Sequence, residues 1–302
     1  MDELILYPRR GRRPIPGESA YHGGFRRNGV PELPEIETIR RGLGPLLVGR
    51  RVLHVLVRER RLREPLVPRG LARLRGATVT GIRRRSKYLL LDTDAGLTLL
   101  VHLGMTGQLW VADRDRPRRP HEHVVILLDD GRDLRYADIR RFGLMHVVRS
   151  DRLDFHPRLK GLGPEPLDGA VSGETLFRAT RGLKKPVKNF LMDTRAIAGV
   201  GNIYACEALY RARISPRRPV RRVGKSGWDG LVASLRDVLN EAITAGGTTV
   251  RDFLNAEGDV GYFAVSLRVY DRKGKPCGRC GKPIRRIVQA GRSTFYCPRC
   301  QR

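Results

Sequence analysis

The sequence predicts an α+β multidomain fold, with an N-terminal β-sandwich and flanking helices, a helical module, and a C-terminal metal-stapled β-hairpin. Three observations support this. Short strand-like segments separated by turn signals fill the chain up to about residue 150. After residue 165 the apolar period becomes helical, and four of the five cysteines form two CxxC pairs near the C-terminus. A chain of 302 residues is long enough for two or three such modules.

Residues 1–30 are rich in Pro, Gly and Arg and show no sustained apolar periodicity, so we expect a disordered or non-native extension. The first helix is expected from Pro34. Ile36, Ile39 and Leu43 follow at helical spacing, and a proline with acidic neighbours suits the first turn of a helix.

Between residues 31 and 150, turn signals such as "DTDAG" and "DDGRD" separate short β-rich runs, which indicates antiparallel hairpins in a sandwich. The expected strands are Val52 to Val57, Ala77 to Ile82, Lys87 to Asp92, Leu97 to Leu103, Val124 to Leu128, Leu134 to Tyr136 and Met145 to Val148.

The helical module is expected over residues 165–268, with helices at 173–181, 186–193, 202–212 and 227–245. In "GVGNIYACEAL" two glycines precede a helix and would leave backbone amides free for a phosphate, although this signal alone is weak. Lys184, Lys185 and Lys188 form a basic edge on the preceding helix. The polar loop at 252–263 either closes over a ligand or simply connects the modules.

The net charge of +28, from 59 Lys plus Arg against 31 Asp plus Glu, predicts a polyanionic partner. Ribosomal and membrane-surface proteins usually concentrate such charge in tails or basic helices, whereas here it interleaves with strand patterns. No apolar run reaches the roughly 18 residues of a membrane span, and residues 1–29 lack the features of a secretory signal. We therefore expect a cytoplasmic protein that binds nucleic acid and no membrane.

The last module, residues 269–302, carries two CxxC knuckles separated by 16 residues, a spacing that suits one structural Zn²⁺ ion. The expected ligands are Cys277, Cys280, Cys297 and Cys300. Reduced or redox-active cysteines without metal are the alternative. Two strand-like runs around an "AGR" tip would present Arg292 for a phosphate or base contact, or as a solvated side chain. Cys206 lies in an apolar helical pattern and is expected to be a buried small hydrophobe.

Ten segments occur in the order found in one enzyme family, and together they cover residues 31–302. They are "PELPEIETIRRGL", "RRRSKYLLL", "HLGMTG", "DIRRFG", "GPEPL", "LMD", "GVGNIYACEAL", "GGTT.RDFL", "GYF" and the two-knuckle tail. The chain thus resembles the bacterial formamidopyrimidine-DNA glycosylases, which remove oxidised purines such as 8-oxoguanine in base-excision repair. The resemblance implies a β-sandwich, a helix-two-turn-helix module and a zinc-finger hairpin. It also implies a monomeric, nucleoid-associated enzyme that acts on double-stranded DNA containing oxidised purines or abasic sites.

By resemblance, Pro31 is the nucleophile, Glu32 assists sugar-ring opening and proton transfer, and Lys87 contacts the damaged nucleotide. After base loss, the same covalent adduct would permit β- and δ-elimination, so the enzyme is expected to be both glycosylase and lyase. Considered without the family, Glu32 could merely stabilise a helix dipole, and Lys87 could be a surface charge.

The resemblance also assigns DNA contacts. Met105, Arg140 and Phe142 would fill the gap left by a flipped nucleotide, since chemistry on a stacked base requires its extrusion. Core packing for Met105 and Phe142, and solvation for Arg140, are the alternatives. Phosphate contacts would come from Asn202, Arg292 and Lys185, or from Lys184 in place of Lys185.

Proline nitrogen inside a chain is an amide and cannot attack a sugar, so the expected chemistry needs Pro31 as the mature N-terminus. Val30 stands where the family has its initiator methionine. We expect synthesis to start at position 30 from a GUG codon, with removal of the initiator, or proteolysis after Val30.

Two other functions remain open from the sequence. An endonuclease VIII type enzyme shares the architecture but prefers oxidised pyrimidines. A non-catalytic zinc-hairpin DNA-binding protein would retain the extension, which would block Pro31 permanently.

Overall fold

Two four-stranded antiparallel sheets pack face to face in the N-terminal part of the chain. The computed structural model describes residues 31–246 and 267–302, so the expectations for residues 1–30 and for the loop at 252–263 lie outside the described residues. One sheet has the order β1-β6-β7-β5 and the other β2-β3-β4-β8. The strands are β1 (Val52–Val57), β2 (Val79–Arg85), β3 (Tyr88–Thr93), β4 (Leu97–His102), β5 (Gly107–Asp113), β6 (Glu122–Leu128), β7 (Arg132–Asp138) and β8 (Leu144–Arg149).

The predicted sandwich is confirmed, with two differences. Strand β5 was not predicted, and it pairs along its whole length with β7. Lys87 was expected to begin a strand, but it lies with Ser86 in the two-residue turn between β2 and β3. Ser86 has a positive φ of 54°, which such a tight turn requires.

Helix α1 (Leu33–Leu47) joins the sandwich to the helical module. Its residues Ile36, Ile39 and Leu43 enter the sandwich core. Leu33, one turn earlier, packs in the core of the helical module instead. The segment that begins at Pro31 is therefore fixed at the junction of two hydrophobic cores.

The helical module follows a short helix, α2 (Pro68–Ala72), and a 3₁₀ segment at Ser150–Phe155. It consists of α3 (Gly173–Ala179), α4 (Val187–Leu191), α5 (Asn202–Arg211) and α6 (Lys225–Thr244). Its core surrounds the fully buried Trp228, whose ring packs edge-on against Phe190.

The C-terminal hairpin pairs β9 (Arg285–Gln289) with β10 (Arg292–Tyr296). Ala290 and Gly291 both have positive φ, as the tight two-residue turn demands, and Arg292 is exposed at the tip as predicted. The hairpin packs on α5 through Phe295 and Cys206, which is buried as expected. In the part of the chain that the structure describes, no helix is both long and apolar enough to cross a bilayer.

Candidate active site

Glu32 is held at the start of a helix that lies 170 residues further along the chain. Its carboxylate accepts hydrogen bonds from the backbone N–H groups of Ile203 and Tyr204, at 3.0 and 3.4 Å. These are the first-turn amides of α5, where the helix dipole favours a negative charge. The amides that the sequence suggested as a phosphate site are thus partly occupied by Glu32. Pro31, immediately before it, is half-buried.

The two glycines of "GVGN" make room for this contact. A Cβ at Gly201 would lie far inside van der Waals contact with the carboxyl group of Glu32. Gly199 has a φ of +78°, and a Cβ there would lie 2.8 Å from Cδ1 of Leu33. The backbone N–H of Leu33 donates to Gly199 O at 3.3 Å. The glycines therefore let the Pro31–Leu33 segment dock against the start of α5.

Glu35 fixes the orientation of this segment. One of its carboxylate oxygens accepts from the backbone N–H of Glu32 at 2.9 Å, and the other accepts from the Tyr204 hydroxyl at 2.6 Å. Glu35 therefore links α1 to α5 through both of its carboxylate oxygens.

The turn that carries Lys87 is anchored by Glu165 of "GPEPL". The Glu165 carboxylate accepts from the backbone N–H of Ser86 at 2.6 Å and from Arg84 and Arg85 at 2.5 and 2.7 Å. The arginines hold the pKa of Glu165 below its usual range despite its burial. The charged Glu165 side chain thus fixes the Ser86–Lys87 turn to the segment that connects the sandwich to the helical module.

Glu32 and Lys87 influence each other's protonation. Burial raises the pKa of Glu32, an effect that Glu35 reinforces and that the Lys87 charge and the α5 amides partly oppose. Burial also lowers the pKa of Lys87, with the positive charge of Arg292 acting in the same direction and Glu32 opposing it. A carboxyl group with a raised pKa keeps a proton to higher pH, which suits a group that transfers protons.

A second cluster brings "HLGMTG" and "DIRRFG" together through Asp138. The Asp138 carboxylate accepts from the Thr106 hydroxyl at 2.5 Å and from the Gly143 N–H at 2.8 Å. Thr106 in turn accepts from the backbone N–H of Arg140 at 2.9 Å. Gly104, at a φ of +64°, passes so close to the Phe142 carbonyl group that a Cβ would lie 2.5 Å from it.

The three predicted gap-filling side chains lie on these two loops. Met105 is half-buried, and Arg140 is exposed. Phe142 is 41% exposed, which is high for a residue that only packs in a core. The Arg140 guanidinium carbon lies 4.6 Å from the Phe142 ring centroid, so the two side chains stack at the surface.

Asn202 connects α5 to the zinc hairpin, since its side-chain N–H donates to Ser293 O at 2.9 Å. Lys188, expected on a basic edge, is instead completely buried, and its ammonium group donates to Ser293 O and to the Thr294 hydroxyl. Arg292 lies at the adjacent hairpin tip. These contacts fix the tip against the start of α5.

Within the described residues, Lys185 forms no hydrogen bond with the hairpin tip. Its side chain forms an ion pair with Asp193 at 2.6 Å instead. The neighbouring Lys184 is exposed, and the described residues show no ion pair for it.

The sulfur atoms of the four cysteines are suitably placed for a metal. They are Cys277, Cys280, Cys297 and Cys300, and they lie within 4.8 Å of one another. The Cys277–Cys300 and Cys280–Cys297 sulfur distances are 3.9 and 3.5 Å. A zinc tetrahedron with bonds of about 2.3 Å has sulfur–sulfur edges of about 3.8 Å, whereas a disulfide would need about 2 Å. The set fits one structural zinc ion, as predicted.

Comparison with known proteins agrees with this geometry. Three family models match in succession: the formamidopyrimidine-DNA glycosylase N-terminal domain over residues 30–145, the H2TH domain of the same enzymes over 162–254, and a zinc finger found in FPG and IleRS over 274–302. A formamidopyrimidine-DNA glycosylase of Alkalilimnicola ehrlichii is 51% identical over 280 residues, covering 90% of this chain and all of the relative. That of Methylococcus capsulatus is 50% identical over 274 residues, with the same coverage. The chain belongs to the formamidopyrimidine-DNA glycosylase family.

Solved structures of this glycosylase family have the same fold. Lactococcus lactis Fpg in complex with DNA containing an abasic site is 34% identical, with a TM-score of 0.82 over 90% of this chain and 99% of that one. A point mutant of the same glycosylase, bound to DNA containing Fapy-dG, gives the same values.

Sequence reasoning missed several residues that build this glycosylase site. Asp138 and Glu165 lay inside motifs that were recognised, but they were given no role. Tyr204 was counted only as part of a helix. Each makes at least one of its contacts to a residue distant in sequence, which no local spacing could reveal. The only local signal was the close pair of glycines at 199 and 201.

Proposed function

We propose that the chain excises oxidised purines from double-stranded DNA and then cuts the strand as an AP lyase, with Pro31 as the nucleophile. Membership of the glycosylase family supports the reaction class. The observation that carries the residue assignment is the docking of Glu32 on α5, because it fixes the adjacent Pro31 at the module junction beside the Lys87 turn.

In the proposed reaction the Pro31 nitrogen lone pair attacks C1′ of the damaged nucleotide. The glycosidic bond breaks, its electron pair leaves with the base, and the proton lost from the Pro31 nitrogen neutralises that base. Glu32 delivers a proton to the sugar ring oxygen as the ring opens, which leaves an iminium between Pro31 and C1′. Loss of a C2′ proton then expels the 3′ phosphate, and a second elimination expels the 5′ phosphate.

Lys87 is proposed to contact the phosphate and the flipped nucleotide. Its half-buried position places the ammonium group at low solvent exposure, where pairing with a phosphate is strong. A bound phosphate would also oppose the effect of burial, which lowers the pKa of Lys87. Arg292 and Asn202 are proposed to hold neighbouring phosphates at the hairpin tip. Lys185 would have to leave Asp193 to do the same, so we assign it the weakest contact.

Met105, Arg140 and Phe142 are proposed to occupy the gap in the duplex. Phe142 and Met105 would wedge between bases, and the Arg140 guanidinium would pair with the orphaned base. The stacked Arg140–Phe142 pair supports this role, since both groups stand exposed on loops that Asp138 holds rigidly.

We propose that the mature enzyme begins at Pro31, with a division into modules at 31–150, 165–268 and 269–302, and that it works in the bacterial cytoplasm on nucleoid DNA. The family model begins at residue 30, one residue before the proposed nucleophile. Intact mass of the endogenous protein tests the start, because a chain that retains residues 1–29 would contradict it.

Borohydride trapping on paired duplexes tests the function. Protein with a free Pro31 should form a covalent adduct with 8-oxoguanine DNA, and much less with thymine glycol DNA. The matched control is a protein of the same sequence with an acetylated N-terminus, which should bind but not trap. Equal trapping by the acetylated protein would refute Pro31 as the nucleophile, and preference for thymine glycol would indicate a pyrimidine-specific enzyme.

A further inference from the structure

An arginine-lined cleft lies between the helical module and the base of the zinc hairpin, outside the proposed active site. It has a volume of about 660 Å³. Among residues 31–246 and 267–302, no aspartate or glutamate side chain lines it. The arginines in its lining are Arg217, Arg218, Arg222, Arg285 and Arg302. The five guanidinium groups give this lining a formal side-chain charge of +5. We name this feature the arginine cleft.

These arginines are available to a ligand. In the described parts of the chain none of the five forms an ion pair, in contrast to Arg83, Arg84 and Arg211, which are all paired. Arg217, Arg222 and Arg285 are exposed. Like charges held close together without counter-ions are unfavourable unless an anion binds them, and guanidinium groups bind phosphate with two parallel hydrogen bonds.

The wall of the cleft is fixed to the side of the protein that carries the proposed phosphate contacts. The N–H of Val187 donates to Arg218 O at 2.8 Å, and the N–H of Val220 donates to Lys185 O at 2.9 Å. The Gln289 side chain, at the hairpin tip, donates to Pro216 O at 3.2 Å. The 216–220 segment is therefore held rigidly between α4 and the hairpin.

The cleft also shares a hairpin face with Arg292. Arg285 lies opposite Tyr296 in the register, and Arg292 is four residues before Tyr296, so all three side chains project from one face. Four residues of strand span about 13 Å, which equals about four base-pair rises of a duplex. The two exposed arginines thus lie at the two ends of one hairpin face, with the buried Thr294 between them, at a separation that suits two phosphates of a nucleic-acid backbone.

We propose that the arginine cleft binds the sugar–phosphate backbone of the DNA flank on one side of the lesion. An acidic peptide is the less favoured ligand, because protein interfaces use buried aromatic and apolar anchors, whereas this lining is dominated by guanidinium groups. The assignment rests on the proposed function only in taking damaged DNA as the substrate. The proposal predicts that the arginine cleft contributes to DNA affinity only when the DNA extends on one particular side of the lesion.

Two duplexes of equal length and mirrored design test this. Each carries a reduced abasic site with a short flank of about 4 base pairs and a long flank of about 15. The long flank lies on the 5′ side of the site in one duplex and on the 3′ side in the other. The test protein is the triple variant Arg217→Gln, Arg222→Gln, Arg285→Gln. The matched control is Arg69→Gln, Arg73→Gln, Arg75→Gln, which removes the same charge from exposed arginines on and just after α2.

For one duplex only, the triple variant should lower the slope of log affinity against log salt concentration by about 2 to 3, since each lost phosphate contact removes about 0.9. The control variant should change this slope by the same amount on both duplexes. A slope that is unchanged on both duplexes, or reduced equally on both, would overturn the proposal. So would loss of oligoglutamate binding in the triple variant without any change on DNA.

The double variant Arg217→Gln, Arg222→Gln leaves the zinc hairpin intact and should reduce the slope by about 1.8 on the same duplex. It replaces the triple variant if zinc content shows that the hairpin is disturbed. Borohydride trapping on a duplex of the same sequence, with an intact abasic site in place of the reduced one, separates the two proposals. If the wild-type protein fails to trap while the slopes behave as expected, only the proposed function is wrong.

Discussion

The substitution Gly201→Ala probes directly whether Glu32 is positioned by α5. The new Cβ would overlap the carboxyl carbon and both carboxylate oxygens of Glu32. Ordinary contact distances of about 3.5 Å or more then require the carboxyl group to move by roughly 1 Å or more. A shift of that size breaks its bonds to the N–H groups of Ile203 and Tyr204.

Two effects of different size follow. Hydrogen bonds to charged groups contribute about 1.5–3 kcal/mol each, and the 3.4 Å bond to Tyr204 is the weaker one, so we expect a loss of about 2–4 kcal/mol of unfolding free energy. A misplacement of about 1 Å in a catalytic arrangement costs about 100-fold in rate. The single-turnover rate should therefore fall about 100-fold even where the variant is fully folded.

The assays are denaturant unfolding and single-turnover excision of 8-oxoguanine by protein with a free Pro31. Gly230→Ala is the control, because a Cβ at Gly230 meets nothing within 4 Å and the position lies inside α6. That variant should gain about 0.5–1 kcal/mol and keep its rate. If Gly201→Ala matches Gly230→Ala in both measurements, the docking of Glu32 on α5 does not position the active site.

Three further outcomes are expected. The substitution Asp138→Asn leaves one oxygen, which cannot replace both carboxylate oxygens that accept from Thr106 and Gly143, so the two gap-filling loops should loosen. The affinity for a duplex with an abasic site should then fall about 10-fold. Borohydride trapping at saturating protein should persist. Burial lowers the pKa of His102 to about 4, below its unfolded value of 6.5, so protonation favours the unfolded state. Stability should thus fall as pH drops from 6.5 towards 4, and His102→Gln, which can still accept from Gly104 N–H, should flatten this dependence in unfolding measurements. Chelation of zinc should abolish DNA binding, because the hairpin depends on the metal for its fold, while circular dichroism should retain the β signal of the sandwich.

The elements that could be predicted from sequence were those with a strong local pattern. The sandwich, the helices and the cysteine tetrahedron all follow from apolar period, turn residues and ligand spacing. Strand β5 was missed because "GQLWVAD" begins with a glycine, which is uncommon in strands, and a charged run follows it in the sequence. In the structure this glycine allows the Leu103 carbonyl to approach closely. This segment becomes a strand because it pairs with β7, and the local sequence pattern does not encode that pairing.

Charged residues were the least predictable, because their roles depend on partners brought in by the fold. Lys185 and Lys188 lie three residues apart in one basic run, yet one is exposed and paired with Asp193 and the other is fully buried. The helical turn decides this, since it points Lys188 towards Thr294 of a hairpin more than 100 residues away. Sequence composition could indicate that the chain binds a polyanion but not which lysines remain available for it.

The position of Glu32 ties the proposed chemistry to the packing of the modules. The amides of a helix in one module hold its carboxylate, α1 carries it from the other, and Leu33 beside it belongs to the core of the helical module. Movement of the sandwich relative to α5 would therefore have to break these contacts before it could change the distance between Pro31 and any DNA held by the hairpin. Because Asn202 and Lys188 fasten that hairpin to the same end of α5, the proposed nucleophile and phosphate contacts share one rigid reference. The start of α5 is thus the structural centre of the site, although it supplies only amides and one asparagine side chain.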